Sequence, residues 1–210
     1  PGGPATRHAL EPSEEQLGFS FPELGQDLAF APSDFIPVNA AMNRSMVRRA
    51  LELLNPGPDD RILDLFCGLG NFTLPIASKG GNVVGVEGDA ELVRKGTENA
   101  ARNRLGNVHF HTADLTEEPG AAPWLSQGYD KVLVDPPRSG AEFILPHIAA
   151  SGARRLVYVS CHPASLARDA GILVHEHGFE LKGAGVMDMF PHTGHVESIA
   201  LFERKSGGRP

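Results

Sequence analysis

Residues 61–75 read RILDLFCGLGNFTLP, and this stretch decides the architecture. The apolar run ILDLF gives way to the turn CGLGN, and FTLP then opens a helical spacing, so a buried strand runs through a tight turn into a helix. Gly68 and Gly70 permit that turn and a close approach of the backbone to a ligand. The same alternation continues outward. Apolar strands are expected at 61–66, 82–87, 108–111, 131–135 and 155–160, with helices at about 72–78, 90–103, 143–150 and 163–177. VVGV, KVLVD and LVYVS are nearly continuous apolar runs, which implies burial on both faces and hence a mostly parallel sheet with helices on each side. Segments 179–186 and 196–202, separated only by a short loop, suit a final antiparallel hairpin.

Upstream, residues 1–16 are rich in Pro, Gly and charge and are expected to be mobile. The stretch 17–35 alternates Phe and Leu with polar residues, the pattern of one or two short strands. Met42, Met46, Val47, Ala50, Leu51 and Leu54 then recur at helical spacing until PGP at Pro56. The expected organisation is a flexible segment with short strands at 1–33, the remnant of a preceding domain, one catalytic domain at 34–205, and a disordered tail at 206–210. At 210 residues, 41% hydrophobic and 21% charged, the composition is that of a globular α/β domain. No run suits a bilayer span or a signal peptide, and the expected location is cytoplasmic. The two cysteines, Cys67 and Cys161, end strands and read as free thiols. A net charge of -7 argues against nucleic-acid binding through the overall field. Local basic clusters remain at Arg44, Arg48 and Arg49 and at Arg102 and Arg104.

Several residues carry chemistry. Glu87, at the tip of the second strand, can accept from both ribose hydroxyls, as acidic residues do there in nucleotide-binding sheets; the glycines depart from GxGxxG, and Asp64, before the turn, can receive the ammonium of an amino-acid moiety, which favours adenosylmethionine over NAD. Asp114 can accept from an adenine amino group or simply cap its own turn. Asp135-Pro-Pro-Arg138 ends the fourth strand at the ligand edge, where its prolines hold an extended, substrate-facing loop. Cys161 closes the fifth strand at a helix start, so the helix dipole is expected to lower its pKa; its other reading is a small buried hydrophobe. Cys67 has no evident reaction to perform. Glu197 enters the otherwise apolar strand VESIALF, a costly placement for a carboxylate, which makes it a general-base candidate. His192 and His195 lack a third ligand at metal-site spacing, and no metal is expected.

In order, DFIPVNAAMN, LDLFCGLGNFTLP, VVGVEG, KVLVDPPRSG, YVSCHPASLARD and DMFPHTGHVES resemble the RNA uracil-5 methyltransferases across most of 34–202. The final loop is most similar to the 23S ribosomal RNA branch. The resemblance implies a Rossmann-like class I fold dependent on S-adenosyl-L-methionine, with a mostly parallel seven-stranded sheet. It implies cofactor contacts from Phe66, Gly68, Gly70, Asn71, Glu87, Asp114 and Asp135, nucleophilic attack by Cys161, and proton abstraction by Glu197. Asp135 and Arg138 are implied to position the uracil. Two positions depart from the pattern: Pro37 stands where the family usually has Gln, and His162 replaces the Asn of SCNP. The amino-terminal RNA-binding domain and four-cysteine iron-sulfur cluster of the ribosomal branch are not found in these residues, and no cluster is expected in this chain.

The implied reaction explains the residue types. Carbon 5 of uracil becomes nucleophilic once a thiolate adds to carbon 6, and a base must later remove the carbon 5 proton so that the thiolate can leave. The target base must leave its stack, so the expected partner is RNA, 23S ribosomal RNA first, recognised at a loop or an extruded nucleotide; the chain is expected to be a monomer. Alternatives stay open: a tRNA substrate, a nitrogen acceptor held by DPPR, or a noncatalytic RNA-binding remnant.

Overall fold

The structure, a computed structural model, describes residues 17–32, 34, 39–188 and 196–205. The stretches expected to be mobile, 1–16 and 206–210, lie outside them, as do Pro37, His192 and His195. A small antiparallel pair, β1 (Gly18–Phe21) and β2 (Gln26–Ala29), precedes helix α1 (Ala40–Leu54). The start of α1 is capped by Asn39, whose side chain accepts from the Met42 amide, and left-handed Asn55 ends it.

From there strand and helix alternate: β3 (Arg61–Leu65), α2 (Thr73–Ala77), β4 (Asn82–Glu87), α3 (Ala90–Arg102), β5 (Val108–Thr112), β6 (Lys131–Val134), α4 (Leu145–Ala150), β7 (Arg155–Ser160), α5 (Pro163–His175), β8 (Phe179–Met187) and β9 (Glu197–Arg204). The seven-stranded sheet has the order β5-β4-β3-β6-β7-β9-β8. Its first five members are parallel, whereas β9 runs antiparallel to both β7 and β8. The expected mostly parallel sheet with a closing hairpin is the one observed. Strand order reverses between β3 and β6, and such a switch point opens a crevice at the carboxyl ends of the strands.

Several boundaries shift by a residue or two, and two of the shifts have clear physical reasons. The first strand stops at Leu65, because Phe66 turns into the left-handed region at φ 61. The helix expected from 143 begins as a 3-10 turn at Glu142–Ile144 and becomes α-helical only at Leu145, where Pro146 occupies the first turn that tolerates its missing N–H.

The period of two along each strand feeds two apolar layers. On one face Leu63, Leu65, Val132, Val134, Leu156 and Tyr158 pack with α4, α5 and Trp124. On the other, Ile62, Val83, Leu133, Val157 and Val159 meet α1 and α2, together with Phe21 and Leu28 of the small hairpin. Two asparagines one turn apart hold that hairpin to the domain. Asn99 accepts from the Ala29 amide at 2.9 Å and donates to the Ala29 carbonyl at 3.1 Å; beyond α3, Asn103 does the same for Asp27 at 2.9 and 2.8 Å. They satisfy the free edge of β2 in place of a neighbouring strand. Among the described residues no helix is long and apolar enough to cross a membrane.

Candidate active site

The residues singled out in the sequence gather at one edge of the sheet. Phe66 follows β3, Glu87 ends β4, Asp114 follows β5, Asp135 follows β6 and Cys161 follows β7. Because β9 is antiparallel, its first residue, Glu197, arrives at the same edge. Glu87, Asp135 and Glu197 thus stand at one edge of the sheet, with Asp64 buried beneath the first turn.

The two glycines of the first turn have different duties. Gly68, at φ 54, faces open space where a Cβ would stand, so the backbone there is free to meet a ligand. At Gly70, φ 102, a Cβ would come within 2.3 Å of a Leu74 methyl group; this glycine serves packing rather than ligand approach. Glu87 is locked in place by two backbone donors, Gly68 N–H and Asp89 N–H, each at 3.0 Å. Its carboxylate keeps further acceptor sites at the mouth of the turn. Asn71 is joined to Asn43 of α1 by reciprocal amide hydrogen bonds of 2.8 and 3.0 Å, which ties α1 to the glycine turn. Asp114 accepts from both the amide and the hydroxyl of Thr116, at 2.8 and 2.6 Å, so it caps its own turn while remaining exposed.

Asp64 departs from expectation. It is fully buried, with Oδ2 accepting from the Thr73 hydroxyl at 2.5 Å and Oδ1 without a partner, so α2 seals it from direct contact with an amino-acid ammonium. Burial, and behind it the charge of Glu87, pushes its carboxyl up to about 7. Native Asp64 therefore holds a proton that the unfolded chain has released between about pH 4 and 7, and stability falls as pH rises through that window. The effect of a three-unit shift is on the order of 4 kcal/mol. Asp64→Asn, which keeps an acceptor for Thr73, is expected to flatten this decline, so that urea unfolding at pH 8 finds the variant no less stable than the wild type.

The reactive side centres on Cys161, which is partly exposed to the crevice. Ser160 pairs with Ser198 across β7 and β9, and the next residues along the two strands are Cys161 and Glu197. Glu197 is 8% exposed, and burial raises its pKa. Burial, then Glu197 and Asp135, raises the Cys161 thiol above its ordinary value, while Arg138 pulls weakly the other way. The lowered thiol pKa expected from the helix start is thus overturned. Cys161 lies one residue outside the cap of α5, and the carboxyl groups beside it, with burial, outweigh the dipole. Asp135 is itself pushed up to about 8, by burial first and then by Glu197 and Asp64, so it is protonated near neutral pH and can donate a hydrogen bond.

His162 takes over the helix cap. Its Nδ1 accepts from the Ser165 amide at 3.3 Å, and the Ser160 hydroxyl accepts from the His162 amide at 3.0 Å. The strand end that carries Cys161 is therefore fixed despite the departure from SCNP. Cys67 is buried beneath the glycine turn with its pKa driven well up, in keeping with a packing role.

Sequence reasoning missed Thr73, Asn43, Tyr158 and the pair Arg168–Asp169. Asn43 and Asp169 had a legible signal: each is a polar residue on the apolar stripe of its helix, between Met46 and the helix start in one case and between Leu166 and Leu173 in the other.

Residues 125–205 match the family model described as tRNA (Uracil-5-)-methyltransferase. The 23S rRNA (uracil(1939)-C(5))-methyltransferase RlmD of Xanthomonas euvesicatoria is 58% identical over 98% of this chain and 46% of its own length; that of Stenotrophomonas maltophilia strain K279a is 56% identical over 97% and 46%. The chain thus spans less than half the length of these curated relatives. Among solved structures, the Pyrococcus abyssi tRNA (uracil-54, C5)-methyltransferase in complex with S-adenosyl-L-homocysteine superposes with a TM-score of 0.71 at 30% identity, covering 84% of this chain and 42% of that one. Residues 56–160, half of the chain, match the model of the methyltransferase domain, and the chain belongs to that family.

Proposed function

We propose that this chain methylates carbon 5 of a uracil in RNA, with 23S ribosomal RNA the substrate class favoured by its curated relatives, and with Cys161 adding covalently to carbon 6. The observation that carries the reading is the meeting of Cys161 and Glu197 at adjacent strand ends, beside Asp135, on the edge that also holds Glu87 and the open backbone at Gly68. A thiol, a buried carboxylate and a donor carboxyl in one crevice match what addition, proton removal and elimination require.

S-adenosyl-L-methionine fits the other half of the crevice, where Glu87 would take the ribose hydroxyls and Gly68 would lie against the ligand; Phe66, Asn71 and Asp114 are further candidates, the last toward the adenine amino group. When bound, it supplies an electrophilic methyl group on a sulfonium. Glu87 and Glu197 provide the negative field that favours that cation, whereas Asp64 and Asp135, which hold protons near neutral pH, add little charge to it.

Cys161 as thiolate adds to carbon 6 of the uracil. Asp135, protonated near neutral pH, can donate to a uracil carbonyl as negative charge grows on it. Arg138, exposed on the same loop, can hold the base or its phosphate. After methylation Glu197 accepts the proton from carbon 5, the double bond between carbons 5 and 6 reforms, and the Cys161 thiolate departs.

The test is incubation with adenosylmethionine and RNA carrying 5-fluorouridine at the target, because fluorine on carbon 5 blocks the final proton removal. A covalent protein–RNA adduct mapped to Cys161 by mass spectrometry is expected. Methylated RNA with no adduct would replace this chemistry with direct transfer to another atom.

A further inference from the structure

The loop at residues 135–141, which carries Asp135 and Arg138, and the strand end at Cys161 form two sides of the crevice, and they must keep a fixed separation if a pyrimidine is to sit between them. Asp169, in the second turn of α5, joins them. It is fully buried, accepts three hydrogen bonds and makes one further ion-pair contact. Its Oδ2 takes the Ala141 amide at 2.7 Å and the Tyr158 hydroxyl of β7 at 2.5 Å; its Oδ1 accepts from Nε of Arg168 at 2.8 Å and stands 2.7 Å from Nη2 as an ion pair. Arg168 then reaches back to the loop, with Nη2 donating to the Ser139 carbonyl at 2.8 Å.

The loop's backbone is built to receive this pair. Gly140 has φ 88, and a Cβ there would stand 2.4 Å from Arg168 Nη2 and 2.7 Å from Asp169 Oδ2. Its amide donates to the Pro137 carbonyl at 2.9 Å, which folds the loop back toward α5. A buried carboxylate is tolerated when its charge is paired and its lone pairs are filled, and here both conditions hold. Arg168 itself is 44% exposed, so its contact with the loop lies near the surface rather than in the core.

We infer that Arg168 and Asp169 are positioning residues for methyl transfer, a strut that sets the distance between the loop bearing Asp135 and Arg138 and the nucleophile Cys161, and so governs attack on the base rather than binding of the methyl donor. This inference rests on the uracil-5 reading above. The strut touches neither the glycine turn nor Glu87, so loss of Arg168 should leave adenosylmethionine affinity alone.

The experiment uses Arg168→Ala, Arg168→Lys and Asp169→Asn. It measures the rate of adduct formation with 5-fluorouridine RNA, adenosylmethionine binding by calorimetry, and hydrogen exchange at the Ala141 amide. Arg168→Ala is expected to slow the adduct roughly 10- to 100-fold, the size of loss that a misplacement of about 1 Å brings. Donor affinity should stay within about twofold, Ala141 exchange should accelerate, and Arg168→Lys should recover part of the rate. Asp169→Asn, whose buried acceptors are disturbed directly, should lose more and also lower the melting temperature; Arg168→Ala, altered near the surface, keeps the test clear of misfolding. Wild-type adduct rates in Arg168→Ala, or a loss that parallels weakened donor binding, would overturn the strut. If the wild type forms no adduct, the uracil-5 reading fails first, and unchanged Ala141 exchange in Arg168→Ala would separately refute the strut.

Discussion

Cys161→Ala is expected to cut methyl transfer by roughly 10⁴-fold or more while adenosylmethionine still binds with wild-type affinity, because the variant loses its only route to an activated carbon 5. Uracil carbon 5 is a weak nucleophile, and no rearrangement of hydrogen bonds substitutes for addition at carbon 6. The substitution removes one sulfur atom from a partly exposed strand end, so the fold should persist. Measurement of tritium transfer from the labelled donor to RNA, alongside calorimetry with the donor alone, separates lost chemistry from lost binding. Wild-type turnover in Cys161→Ala would mean that the acceptor is a nitrogen atom held by DPPR, a chemistry that needs no thiol.

The environment of Cys161 also fixes the direction of its pH dependence. Its thiol is raised by burial and by the adjacent Glu197 and Asp135, so little thiolate exists in the free protein at neutral pH and the fraction grows as pH rises. The charge of Glu197, which helps hold the thiol protonated, is one that a cationic donor would partly neutralise. Donor binding therefore lowers the cost of forming the thiolate, and the two events are coupled through the field of the crevice.

Glu197→Gln is expected to separate the first half of the reaction from the second. The side chain keeps its size, and loss of a buried charge spares its desolvation cost, so folding should be preserved. Addition of Cys161 does not need this carboxylate, whereas release of the product does. On ordinary, non-fluorinated RNA the variant should accumulate a covalent adduct that the wild type resolves, and multiple turnover should fall about 10²- to 10⁴-fold, the usual contribution of a positioned base. Denaturing electrophoresis over time gives the readout. Rapid turnover without a trapped species would transfer the role of base to another group.

Much of this site was legible because each residue lies at the end of an apolar strand, and strand ends can be read from a run of buried residues followed by a polar break. Glu87, Asp114, Asp135 and Cys161 are placed at strand ends by that reading, whereas Phe66 is singled out only by the family resemblance. Glu197 was legible for a different reason: a carboxylate leading VESIALF violates the pattern of its own strand. What failed was the electrostatics. The sequence placed Cys161 near a helix start but gave no distance to Glu197 or Asp135, and the balance among dipole, burial and like charge depends on those distances. The lowered thiol pKa was wrong for this reason. Asp64 failed similarly, since nothing in LDLFCGLGNF says that the Thr73 hydroxyl folds back over it.

Local patterning by itself determined the order of strands and helices, the burial of both sheet faces and the positions at which polar groups break out of apolar runs, since these follow from periods of 2 and 3.6 along the chain. Only the tertiary structure decided which groups meet. Antiparallel entry of β9 brings Glu197 to Cys161, and Asp169 clasps a loop 28 residues away through Ala141. Periodicity fixes which face a side chain takes, whereas charge, proton affinity and reach between distant segments depend on separations in space that no local pattern encodes.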